Sequence, residues 1–134
     1  MERIIVDGEN AIFGRLCSFV AKKALEGNEI VVVNSEKTII TGNKIDIIKK
    51  RRELIAKGGS ARKGPFFPRI SYQILKRCIR GMLPDYSRGI GKAALENIKC
   101  YNGIPTEFEN QTMIKLGKAK PLKYLELREL SEKV

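Results

Sequence analysis

The chain has 134 residues, 43% of them hydrophobic and 7% aromatic, with no His and no Trp, and Lys/Arg outnumber Asp/Glu by 26 to 15 for a net charge of +11. That length fits one domain able to remove about two thirds of its unfolded surface from water, which excludes a disordered basic tail. The missing histidine removes the usual general base, the usual triad partner and the commonest zinc ligand.

In chain order, Ile4-Ile5-Val6 is a continuous apolar run, as in a strand covered on both faces. Asp7-Gly8-Glu9-Asn10 supplies a turn. A helix follows over about 15–26, with Leu16, Phe19 and Val20 on one face, and Gly27-Asn28 stops it. Ile30-Val31-Val32-Val33 is a second buried strand. Strand, helix and strand in about 30 residues form a βαβ unit with parallel strands. Thr38-Ile39-Ile40-Thr41 is a third extended run, after which Asn43 caps a helix that reaches about residue 57. Residues 58–69 are a loop with three glycines, two prolines and interleaved cations. A helix over about 70–83 stops at Pro84, and a short one covers about 92–96. Ile98-Lys99-Cys100-Tyr101 reads as a fourth strand, broken by Asn102-Gly103 and Pro105. The tail from 106 is irregular until Pro121, beyond which Leu122, Leu125, Leu127 and Leu130 predict a final helix. The expected fold is therefore one α/β domain over 1–134, with a small, mainly parallel four-stranded sheet, flanking helices and a basic Gly/Pro-rich loop.

Charge is segregated along this order. Residues 44–92 hold 14 Lys/Arg and 3 Asp/Glu, an excess as large as the net +11 of the whole chain. A basic surface set on a neutral body points to a polyanion, and nucleic acid is the commonest in a cell. The sequence pI near 9.8 agrees, being above the rough threshold of about 9 for nucleic-acid binders. In the 70–83 helix, where residues advance by about 100°, Ile70, Ile74, Leu75, Cys78, Ile79 and Met82 share the inward half. Lys76, Arg77 and Arg80 gather on the other half without a neighbouring Asp or Glu, whereas a merely soluble face mixes signs. Lys49, Lys50, Arg51 and Arg52 occur in succession and sweep roughly 300° of helix circumference. No single apolar face survives that turn, so either one stem lies along the core or the helix stands clear of the body.

The loop adds Arg62, Lys63 and Arg69 to glycines that permit close approach to phosphate. Phe66 and Phe67 are able to stack on unpaired bases or to plug the core. Ser87-Arg88-Gly89-Ile90-Gly91-Lys92 places Arg88 and Lys92 at a glycine-opened helix start, where amides favour an anion. It lacks a full GxGxxG, and no GxxxxGK[ST] occurs. The turn from Gly8 to Gly14 follows a strand as a dinucleotide loop would, but its glycine spacing is wrong and Glu9 would repel a pyrophosphate. Cys17, Cys78 and Cys100 form no CxxC pair and read as small buried hydrophobes in a reducing compartment. Neither a secretory signal nor an apolar run of about 18 residues is present, so a cytoplasmic location is expected.

Three blocks carry a resemblance. One is Arg80-Gly81-Met82-Leu83-Pro84, with Ala93-Ala94-Leu95 and Lys99-Cys100-Tyr101-Asn102-Gly103-Ile104-Pro105 beyond it. Another is Val33-Asn34-Ser35-Glu36-Lys37 through Thr41-Gly42-Asn43-Lys44, and the third is Asp7-Gly8 with Gly14-Arg15-Leu16. From Val6 to about Pro105 the chain resembles the universal L-thirteen family of large-subunit ribosomal proteins. Bacterial members carry a His- and Tyr-containing segment where this chain has Ala61-Arg62-Lys63-Gly64-Pro65-Phe66-Phe67, so it is more similar to archaeal and eukaryotic members. It lacks the long basic C-terminal extension of the eukaryotic ones, which makes it archaeal-type. The resemblance implies a compact α/β fold, binding to large-subunit rRNA, neighbouring large-subunit proteins as partners, and no catalysis. The expected RNA-binding residues are Lys49, Lys50, Arg51, Arg52, Arg62, Lys63, Arg69, Arg77, Arg80, Arg88 and Lys92. No cofactor, metal, membrane or small-molecule substrate is expected. The alternatives are a small α/β nucleotide-binding enzyme using the Gly8–Gly14 turn, and a DNA-binding regulator.

Overall fold

The computed structural model describes residues 2–56, 68–117 and 121–133. Strand β1 (Arg3–Asp7), helix α1 (Phe13–Leu25) and strand β2 (Glu29–Val33) open the chain. β1 and β2 pair in parallel with Ile5 opposite Val31, as the βαβ reading requires. Short helical turns aside, the remaining elements are β3 (Ile39–Thr41), α2 (Lys44–Ala56), α3 (Ser71–Gly81), α4 (Gly89–Glu96), β4 (Ile98–Cys100), β5 (Ile114–Lys115), β6 (Tyr124–Glu126) and α5 (Leu127–Lys133).

The main sheet has four strands in the order β4-β2-β1-β5, all parallel. The fold class is the one expected, and the expected fourth strand takes its place as β4, but the third expected strand does not join this sheet. β3 pairs antiparallel with β6 in a separate two-stranded sheet, and β5 takes the edge beside β1. Val6, Ile30 and Val32 face the larger core, where Leu16 and Val20 of α1 meet Ile74, Leu75 and Ile79 of α3. Ile5, Val31 and Val33 face a smaller cluster closed by Phe108. Continuous apolar runs in β1 and β2 follow from burial on both faces.

Two helix readings need correction. Ile70 and Met82 are not inward. They are the N-cap and C-cap of α3 and stand 45% and 43% exposed. The helix is shorter at both ends than its apolar pattern, so those two positions leave the 100° progression that would carry them to the core. The predicted C-terminal helix begins only at Leu127; Leu125 is a buried strand residue and Leu122 is fully exposed. Phe108, in the segment read as irregular, and Leu125, Leu127 and Leu130, in the segment read as a helix, are all buried, so the C-terminal part completes the core. Most of the 58–69 loop, with Arg62, Lys63, Phe66 and Phe67, lies outside the described residues. Among the described residues, no helix is long and apolar enough to cross a membrane.

Candidate nucleic-acid interface

α3 presents the cations it promised. Ile74, Leu75 and Ile79 fix its inner face, and this leaves Lys76, Arg77 and Arg80 half-buried along its flank. With Pro68, Gln73 and Leu95 these three line a cleft of about 350 Å³ that has no carboxylate among its lining residues. The Arg80 guanidinium lies 4.8 Å from the centre of the Tyr86 ring, a cation–π contact that orients it without neutralising it.

Arg77 also belongs to a second cavity, a groove of about 500 Å³ between α2 and α3. Lys50 and Arg51 reach this groove, whose other lining residues include Phe13, Ile47, Leu54 and Leu130. Arg51 is the inward member of the four-cation run. Its Nη2 donates to the Pro68 carbonyl at 2.9 Å, while its Nε is buried with no acceptor among the described residues. Burial, and then the neighbouring Arg77, hold the Arg51 guanidinium below its ordinary pKa. Lys49 and Arg52 turn to the opposite side, where the Arg52 Nε donates to the Lys133 carbonyl at 2.9 Å. The run therefore divides between two surfaces, because its 300° sweep leaves no single side for it.

Arg69, Arg88 and Lys92 are exposed. Arg88 is the N-cap of α4, and Lys92 lies in that helix's first turn. Gly91 serves close approach: a Cβ there would stand 1.8 Å from the Pro84 carbonyl oxygen. Within the basic window Lys44 forms an ion pair, to Glu129 at 3.3 Å. Arg3, Lys23 and Arg128, which pair with Glu29, Glu26 and Glu126, lie outside it. Among the described residues, then, the structure brings Lys50, Arg51, Lys76, Arg77 and Arg80 into two adjoining cavities joined by Arg77. Lys76 was absent from the expected site residues, although its place in the helical stripe was readable from sequence.

The Gly8–Gly14 turn is built for structure. The Gly8, Asn10 and Ala11 amides donate to the Val33, Lys37 and Gly8 carbonyls at 2.9, 3.2 and 3.1 Å. The Glu9 amide donates to Asp7 Oδ1 at 3.0 Å. A phosphate would find those four donors already engaged. Gly117 closes the turn from outside, with room for no Cβ beside the Glu9 carbonyl oxygen, 2.2 Å away.

The sequence profile of ribosomal protein L13 matches residues 1–107. The chain belongs to the ribosomal protein L13 family. It is similar to the large ribosomal subunit protein uL13 of Methanosarcina barkeri, at 42% identity covering 97% of this chain and 96% of that protein. The uL13 of Methanocaldococcus jannaschii is 45% identical, covering 96% and 94%, and that of Thermoplasma acidophilum 43%, covering 84% and 81%. These archaeal relatives agree with the archaeal-type reading. The L13 family is structural and non-enzymatic, which bears out the expectation that this chain is no enzyme.

Proposed function

We propose that this protein is a structural component of the large ribosomal subunit that binds large-subunit rRNA and supports ribosome assembly and translation in the cytoplasm. Its partners are that rRNA and neighbouring large-subunit proteins. One observation carries the reading: a member of the L13 family sets Lys76, Arg77 and Arg80 in a cleft with no carboxylate among the described residues that line it. Cations so placed neutralise phosphates and release counterions. Structured RNA is read through its backbone, shape and 2′-hydroxyls, so a rigid cationic helix face is enough without base-edge contacts. Arg69, Arg88 and Lys92, the loop cations Arg62 and Lys63, and Lys49 and Arg52 on the other side of α2 supply further phosphate contacts, with Lys50 and Arg51 at the edge of the cleft, and the whole chain acts as one rRNA-binding domain.

The test is binding to an rRNA fragment across a salt series. Lys76→Ala, Arg77→Ala and Arg80→Ala together are expected to flatten the log–log salt slope by about three units, one per lost phosphate contact. An unchanged slope would remove these residues from the interface. Joint replacement of Arg62, Lys63 and Arg69 asks the same of the loop. Fractionation of a cell lysate places the chain with the large subunit if the reading holds.

A further inference from the structure

The groove between α2 and α3 differs in chemistry from the RNA-facing cleft. Its walls are apolar side chains, among them Phe13, Ile40, Ile47, Leu54, Ile74 and Leu130, with Lys50, Arg51 and Arg77 beside them and no Asp or Glu in the lining. Helix α2, which forms one wall, runs for 13 residues without a single buried side chain. Ile47 and Ile48 are only half-buried and Leu54 is exposed. Isolated helices shorter than about 12–15 residues are marginal in water and are held mostly by burial of an apolar face. For α2 the described chain supplies little of that burial.

We propose that this groove is the docking site of a segment from a neighbouring large-subunit protein, which inserts apolar side chains between α2 and α3 and sets carboxylates against Lys50 and Arg51. The inference rests on the ribosomal reading above and assigns Lys50 and Arg51 to a protein partner instead of to phosphate. Charge complementarity selects an acidic segment: among the described residues no Asp or Glu lines the groove beside Lys50 and Arg51, and the buried Arg51 Nε has no acceptor. A carboxylate in the groove relieves both defects with charge-assisted hydrogen bonds. The apolar walls select protein over RNA. A phosphodiester backbone would satisfy the cations but leave the six apolar walls wet, whereas Leu-, Ile- or Phe-type side chains remove them from water at about 25 cal/mol per Å². The volume of about 500 Å³ has room for several such side chains.

Cys78 lines the same groove and gives a probe that needs no substitution. Its alkylation by N-ethylmaleimide is compared in the free protein and in purified large subunits. Docking slows the reaction by about tenfold or more, the factor equivalent to about 1.4 kcal/mol. Equal rates overturn the proposal. Identity of the occupant comes from a photoreactive benzoylphenylalanine in place of Leu54, irradiated in assembled subunits. A cross-link to a segment of another subunit protein with Asp or Glu beside apolar residues supports the proposal, if its yield falls in the Lys50→Glu, Arg51→Glu variant. Cross-links to rRNA, to this chain itself or to a segment without acidic residues overturn it. Absence of the unaltered chain from large subunits defeats the ribosomal reading first, so the two failures are distinguishable.

Discussion

Gly91 shows how a single missing methyl group fixes local geometry. The start of α4 touches the turn before it so closely that Ala at this position drives its Cβ into the Pro84 backbone, a contact that no rotamer relieves. Gly91→Ala is expected to destabilise the protein by about 1–3 kcal/mol, the usual range for overpacking, and urea denaturation measures it. The cysteines make a second case. Cys17 is fully buried, Cys100 nearly so, and Cys78 half-buried at the groove. Interaction with the neighbouring Cys17 thiol holds the Cys78 thiol below its ordinary pKa, and the same interaction together with burial raises Cys17. Native protein should therefore lose one thiol to maleimide quickly and all three only when unfolded. Cys17→Ala should move the pH profile of Cys78 labelling upward. Burial pushes the Cys100 thiol up to about 12, from an ordinary 9.0. Because the folded state keeps this proton longer than the unfolded chain does, its contribution is whole below pH 9 and is lost as pH rises toward 12. Thermal midpoints in that window should fall with pH, and fall less steeply for Cys100→Ala.

Helices α2 and α3 look alike in charge but differ in anchorage. α3 buries Ile74, Leu75 and Ile79, whereas α2 buries nothing fully. Leu75→Ala should cost about 2–5 kcal/mol, as core truncations do, and Ile47→Ala less than about 1 kcal/mol in the free protein. Equal costs in chemical denaturation would contradict this picture of a loosely held α2. The contrast was half visible in the sequence. Regular apolar spacing at Ile74, Leu75 and Ile79 marks α3, and four successive cations in α2 forbid a clean inward face. The ends of α3 were not legible, since Ile70 and Met82 continue its apolar pattern while serving as caps. β5 escaped because two exposed residues carry no periodicity, and β6 because the i, i+3 pairs Leu122/Leu125 and Leu127/Leu130 imitate a helix across a strand that runs into one. The cationic stripe needed only the helical period, but its division between an apolar groove and a polar cleft depends on α5 and on the approach of α2, which no local pattern encodes.

At the scale of the molecule, the sequence carries its excess charge in the segment 44–92 that follows β3, and the stretches on either side are near neutral. The parallel strands β1 and β2 are anchored by apolar side chains on both faces, those of α3 among them, so the cations on the flank of α3 need not hold the sheet together. Variants that replace Lys76, Arg77 and Arg80 by Gln, which keeps much of each stem in place, should accordingly hold the melting temperature within several degrees while losing RNA affinity, since these half-buried cations lie outside the apolar core. A large drop in melting temperature would mean that these cations belong to the architecture. The sheet order has a temporal side too. The edge of β1 is closed by β5, so Val6 waits for Ile114, more than a hundred positions later in synthesis. A chain leaving its own ribosome cannot complete its first strand until its last quarter has emerged. Maturation of this fold is thus a late and comparatively slow event, and the nascent protein meets the cell with that edge still open.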